Sequence, residues 1–210
     1  MSKYFSSARL YHFRRVLTNP IDAFYEIRYR DLGSVPLAFI CVILYGLAFT
    51  TNRIFAHFIV NPVNPRTVNG LSEMGSVLLI FMLFCVGNWS VTCLMNGEGR
   101  LKDIVAVVGY SLVPMVLVFF PATLLSHVIA AGEEVFYTFA MAFGIGWSAI
   151  LVLLGIMTIH NYTLLKTLIT LVLTVISMFI LIFIGLLLYD LINQVLIFLE
   201  SVYTELVFRF

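Results

Sequence analysis

Residues 167–189, TLITLVLTVISMFILIFIGLLLY, run without a single charged side chain. A helix crossing the hydrocarbon core of a bilayer needs about 20 mainly apolar residues, so this stretch reads as a transmembrane span. Four earlier stretches share that reading: Val35 to Thr51 and a turn beyond, Leu71 to Leu94, Ile104 to Ala131, and Val135 to Ile159. The predicted fold class is all-α, a polytopic integral membrane bundle of five transmembrane helices with amphipathic helices at both termini. It divides into a cytoplasmic amphipathic segment at 1–34, a membrane domain at 35–189 and an interfacial amphipathic tail at 190–210.

Composition supports the same class. The 210 residues are 61% hydrophobic and 11% charged, whereas a soluble domain carries about 25% charged residues. Five spans and their connections use most of the chain, which leaves no separate soluble catalytic domain. A net charge of +1 supplies no field that would gather nucleic acid. Cys41, Cys85 and Cys93 all fall in apolar stretches without paired spacing, as expected of small buried hydrophobes. The first 34 residues hold six basic side chains and no continuous apolar core, so the first span is expected to serve as its own insertion signal.

Punctuation between the spans is local. Asn19-Pro20 predicts a helix start with Asn19 as cap and Asp22 closing a capping box. In the helix that follows, Ile21, Phe24 and Ile27 recur on one side, opposite Glu26 and Arg30. That pattern suits either a helix lying on the membrane surface or one packed beneath the bundle. Asn52 to Asn69 is expected to be a polar loop, with Asn61-Pro62 and Asn64-Pro65 stopping helix propagation. Asn96-Gly97-Glu98-Gly99 ends span two with glycines suited to positive φ. Pro114 and Pro121 predict a bent or broken span three. In the tail, Asp190, Glu200, Glu205 and Arg209 interrupt an apolar face made by Leu191, Val195, Phe198, Val202 and Leu206, which reads as an interfacial helix.

Basic residues are retained on the cytoplasmic side of a membrane. With five spans, Lys3, Arg9, Arg14, Arg15, Arg28, Arg30, Arg100, Lys102 and Lys166 share one side, and Arg53, Arg66 and Arg209 the other. The expected topology has the amino terminus in the cytoplasm and the carboxyl terminus outside, in the cytoplasmic membrane.

Several residues are candidates for function. Gly97, Gly99, Arg100 and Lys102 make a turn that opens span three, read as a cytoplasmic turn with its cations near lipid headgroups. Gly109, Tyr110, Ser111 and Pro114 place a small residue, an amphipathic ring and a helix breaker within two turns. They could line a cavity or fix a kink against span two. Asn88 lies deep in span two and needs a polar partner, with Ser111 and Ser148 the candidates, or a substrate. Ala140 with Gly144, and Ala142 with Gly146, form two small-xxx-small pairs that let helices approach within the bundle or across an oligomer interface.

Chemistry finds little foothold. No cofactor is implied. His57, His127, Glu133 and Glu134 map to one side but lack metal-ligand spacing. No Gly-x-Ser-x-Gly elbow is present, and no charge lies at the centre of a span, where ion-coupled transporters place one.

Asn19-Pro20 through Gly33-Ser34, together with Gly97-Glu98-Gly99-Arg100-Leu101-Lys102-Asp103 and Gly109-Tyr110-Ser111-Leu112-Val113-Pro114, resembles the Yip domain family. The resemblance implies five spans, a cytoplasmic amino-terminal segment, a glycine-containing turn after span two and a Gly-Tyr-Ser-Leu-x-Pro-like element in span three. Eukaryotic members carry an Asp-Leu-Tyr-Gly-Pro-like element where this chain has Asp31-Leu32-Gly33-Ser34-Val35-Pro36, and the long polar arm tied to Rab-type GTPases is missing. The chain therefore resembles a bacterial-type member, and GTPase binding is not carried over.

For such members the resemblance implies a non-enzymatic scaffold or accessory role. The expected partners are the lipid bilayer and other integral membrane proteins, with permease subunits of ABC-type carbohydrate importers as one candidate, or the chain itself. The alternative is a small transporter or channel with its path along the Pro-broken third span.

Overall fold

A computed structural model describes residues 14–130 and 132–209. The first part of the expected amphipathic segment, residues 1–13, lies outside the described residues.

A helical stretch over 14–18 leads into helix α1, Pro20–Tyr29. Pro20 occupies the first turn, where its missing amide costs nothing. Asn19 precedes it, yet its side chain makes no capping bond, so the expected cap is corrected to a backbone start in which Ala23 N–H donates to Asn19 C=O at 3.1 Å. Ala23, Phe24 and Ile27 are buried while Ile21 is exposed. Of the two readings offered by the sequence, α1 adopts the second: it packs beneath the bundle, against the helices of spans three and four.

Span one is α2, Val35–Phe55. The loop expected from Asn52 starts a turn later, because Asn52 is buried and bonded to two other spans. Asn61 Nδ2 donates to Arg53 C=O at 2.9 Å, and a short 3-10 turn at Pro65–Thr67 carries the chain to α3, Gly70–Leu94. There Asn69 acts as a true cap, its Oδ1 accepting from Leu71 N–H and Ser72 N–H.

Span three is two helices, α4 (Leu101–Ser111) and α5 (Val113–Leu125), which meet at Leu112. The break falls two residues before Pro114. A proline ring clashes with the carbonyl four residues back, so the chain adjusts on the amino-terminal side. Pro121 lies inside α5 without interrupting it, and α5 stops at Leu125, short of the expected Ala131. Span four is α6, Glu134–His160, closed by Asn161 in the left-handed region with φ 53°.

The last helix, α7, runs unbroken over Leu164–Arg209. The boundary expected between Tyr189 and Asp190 is not marked by any interruption, and at about 1.5 Å per residue the helix is roughly 70 Å long. Among the described residues, five helices, counting α4 and α5 together, are long and apolar enough to cross a membrane.

α4 is the central post. Every residue from Asp103 to Ser111 is buried, and α2, α3 and α6 pack around it. Two glycines allow the approach: a Cβ at Gly109 would lie 2.6 Å from the Cβ of Ala38 on α2, and one at Gly155 of α6 would collide with Val107 and press on Phe24 at 3.3 Å. α7 packs mainly on α3, turning Thr167, Thr170 and Thr174 inward, and leaves most of its remaining surface exposed.

Candidate functional site

The residue types that drew attention in sequence converge where α1 meets the bundle. Asp31 follows α1 with φ 51°, a left-handed turn that aspartate tolerates better than most residues. Arg100 Nη2 donates to Asp31 Oδ1 at 2.6 Å, and Lys102 Nζ donates to the same oxygen at 2.9 Å. These two donors hold the Asp31 carboxyl below the usual carboxylate range. Arg100 also donates through Nε to Asp103 Oδ2 at 2.9 Å and through Nη2 to Arg28 C=O at 3.4 Å. The Asp103 bond, first of all, raises the guanidinium pKa further. Asp103 accepts the Arg100 backbone N–H as well, at 3.1 Å, which caps α4. Arg100 and Lys102, expected near headgroups, are thus engaged within the protein.

Gly97 and Gly99 serve a purpose other than the expected one. The left-handed φ belongs to Asn96, at 54°. The glycines are needed because a Cβ on Gly97 would lie 2.5 Å from His160 Nδ1, and one on Gly99 would lie 2.6 Å from His160 Cε1. Gly99 N–H donates to His160 Nδ1 at 3.1 Å. The imidazole, only 1% exposed, stacks on Tyr162 with ring centroids 5.3 Å apart. Tyr162 in turn donates to Met95 C=O at 3.1 Å and sits under Lys166, whose ammonium is 4.1 Å from the ring centre. His160 Nε2 and Arg28 Nε are buried without a hydrogen-bond partner among the described residues.

One layer deeper, the Gly109-Tyr110-Ser111-Pro114 element joins spans three and one. The Tyr110 hydroxyl accepts from Ser34 N–H at 2.9 Å and donates to Ser34 C=O at 3.2 Å. Gly109 permits the Ala38 contact, and a Cβ on Gly33 would reach Ile27 at 2.9 Å and Ala106 at 3.2 Å. Ser111 Oγ returns to its own helix, donating to Val107 C=O at 2.8 Å. Pro114 is buried behind the break. The three segments quoted as motifs therefore interlock, as a joint between α1, the start of α2 and α4 that is buried at Tyr110 and Ser34 and exposed at Asp31. What the arrangement does is hold α1 and the start of α2 in register with α4.

Asn88 and the small pairs lie elsewhere. Asn88 Nδ2 donates to Thr174 Oγ1 on α7 at 3.0 Å, which corrects the expected partners Ser111 and Ser148. Asn88 Oδ1 and Ser148 Oγ have no partner among the described residues. The two small-xxx-small pairs split. Gly144 faces Val118 of α5, where a Cβ would lie at 3.0 Å, while Gly146 has nothing within 4 Å and lies with Ala142 on the outer surface.

Sequence reasoning missed a second polar joint at the opposite end. Asn52 Nδ2 donates to Thr123 Oγ1 at 2.8 Å, and Tyr137 Oη donates to Asn52 Oδ1 at 3.0 Å, tying spans one, three and four. His57 N–H donates to Ser126 Oγ at 3.0 Å, and the His57 and His127 rings lie 6.0 Å apart. Glu133 accepts from Ala130 N–H at 3.2 Å. An isolated amide next to Arg53, at the end of an apolar stretch, was the available signal, and it read as loop. His160 and Tyr162 were likewise missed, although both flank the span-four end that topology brings beside Gly97.

Comparison with curated proteins and with solved structures gave no match. The Yip1 domain matches residues 14–187, a range that takes in α1, both halves of the interlocked joint and all five spans as far as the middle of α7, and the chain belongs to the Yip1 domain family.

Proposed function

We propose that the protein is a non-enzymatic membrane scaffold or accessory subunit that binds other integral membrane proteins. The observation that carries this reading is the contrast between its two sides. On one side α1, α2, α4 and α6 are locked by the Asp31, Tyr110 and His160 contacts. On the other, α7 extends about 70 Å with most of its surface open. The carboxyl-terminal half of α7 exposes Asp190, Gln194, Glu200, Ser201, Thr204 and Glu205 among apolar residues; beyond the Gln194–Asp190 and Thr204–Glu200 bonds within the helix, these groups keep hydrogen-bonding capacity that a partner helix or an interface would take up. Ala142 and Gly146 on the outer face of α6 would let another helix approach closely.

The reading places α1 and the joint in the cytoplasm, following the excess of Lys and Arg at that end, and the chain in the cytoplasmic membrane. Permease subunits of an ABC-type importer are the candidate partners, and a second copy of the chain the other. A path for small molecules along the broken third span has less support, since Asp103 to Ser111 are all buried. Affinity purification from native membranes under gentle detergent should recover a stoichiometric integral membrane partner. Recovery of the bare monomer alone would reject the scaffold reading, and flux in proteoliposomes of the purified chain would replace it with a transporter.

A further inference from the structure

Between spans one, two and three lies a cavity of about 300 Å³, lined by Tyr45 and Phe49 of α2, one face of α3 between Glu73 and Phe84, Val108 of α4, and Leu112 at the break in span three. Its walls are apolar except at one end. There Glu73 and Ser76 line it, and Arg53 Nε stands 3.2 Å from Glu73 Oε1. Arg53 also lies 5.7 Å from the centre of the Phe49 ring, which brings the guanidinium to the mouth. Ser76 and Ile80 on the rim are exposed, so the cavity opens sideways, toward lipid.

From Glu73 to Phe84 the cleft follows α3 for about 16 Å at 1.5 Å per residue, close to half of a hydrocarbon core of about 30 Å. A slot of one leaflet's depth, apolar within and charged at its outer end, has the polarity of an acyl chain beneath its headgroup. The mouth offers both signs. Arg53, with its side chain 37% exposed, presents its remaining guanidinium nitrogens to a phosphate, and Glu73 beside it can accept from an ammonium.

We propose that this cleft is a binding site for one acyl chain of a glycerophospholipid with a zwitterionic amine headgroup. The phosphate rests on Arg53, the ammonium on Glu73, and the chain tip lies against Leu112. Bound there, the lipid fills the space left where span three breaks and ties the break to the leaflet on the Arg53 side.

The test uses the full chain in phosphatidylcholine nanodiscs doped with phosphatidylethanolamine carrying a diazirine on one acyl chain, followed by peptide mapping. The outward residues Phe179 and Phe183 of α7 report labelling by bulk lipid. Labelling at Val77, Phe81 and Val108 should exceed that reference, and a phosphatidylglycerol probe should label the cleft about fivefold less, the size expected for one charge contact near a bilayer surface. Val77→Trp, or Ile80→Trp at the rim if the first variant does not elute as a folded species, should abolish cleft labelling and leave Phe179 and Phe183 unchanged. Glu73→Gln should remove the preference for the amine headgroup. Cleft labelling no stronger than that of Phe179 and Phe183, or equal labelling by the two headgroups, would overturn the proposal.

Discussion

The phenol of Tyr110 makes two hydrogen bonds to one residue, accepting from the backbone amide of Ser34 and donating to its carbonyl, so that span three holds the first turn of span one through a single side chain. Removing that oxygen affects both bonds at once. Tyr110→Phe keeps the ring in place and should destabilise the protein by about 1–2 kcal/mol, the net worth of one or two buried hydrogen bonds. Thermal unfolding in mild detergent measures it, and an unchanged midpoint would show that the ring alone matters.

Two glycines of similar appearance should respond differently. Gly109→Ala forces a Cβ to within 2.9 Å of the Ala38 carbonyl oxygen, which is backbone and cannot swing aside. The expected loss is about 1–3 kcal/mol, as for overpacking of a tight core. Gly146→Ala enters open space and should leave the stability of the isolated chain unchanged, whereas Gly146→Leu should weaken recovery of a membrane partner. Equal unfolding midpoints for Gly109→Ala and Gly146→Ala would contradict the packing described.

The Gly99 and His160 contact predicts coupling. Gly99→Ala alone drives a methyl into the imidazole, and His160→Ala alone leaves a void and takes the acceptor from Gly99 N–H. In the double variant the methyl finds room, so the combined cost should fall below the sum of the two by about 0.5–3 kcal/mol, the range for residues in contact. Strict additivity in the unfolding free energies would mean that the turn does not rest on the histidine.

Asp31 links the joint to pH. Its carboxyl pKa is lowered by the Lys102 and Arg100 hydrogen bonds. A depressed folded-state value contributes stability that is present above the unfolded value and is lost as pH falls through the folded one. The turn at 97–102 should therefore stay docked through mild acid and loosen only below the ordinary carboxyl value of 3.8. Amide hydrogen exchange across this turn, corrected for intrinsic rates, should show that acid transition in the wild type. Asp31→Asn should exchange faster at neutral pH and lack the transition.

The spans were legible for a simple reason. A bilayer admits only backbones that satisfy their own hydrogen bonds, so length and hydropathy alone identify a crossing helix. The starts at Val35 and Gly70 and the ends at Leu94 and His160 fall within a residue or so of expectation. Pro114 announced a break in span three, although the chain yielded at Leu112. Pro121 did not break the helix, which continues through it to Leu125. Asp190 suggested an end to span five, but one carboxylate with Gln194 four residues on, bonded at 2.8 Å, does not stop a helix of good formers.

From its sequence alone the protein is a five-span helical membrane protein whose Asn19 to Ser34, Gly97 to Asp103 and Gly109 to Pro114 stretches resemble one family. Hydropathy and short motifs act over a turn or two of chain, and they determine that much. Tertiary structure decided which groups meet: Asp31 with Arg100 and Lys102, Gly99 with His160, Tyr110 with Ser34, and Asn88 with Thr174 rather than with either expected serine. Those pairs stand 61 to 86 positions apart in the chain. Nothing in the local pattern specifies which face of one apolar helix turns toward another; close packing and the need to pair each buried polar atom settle it.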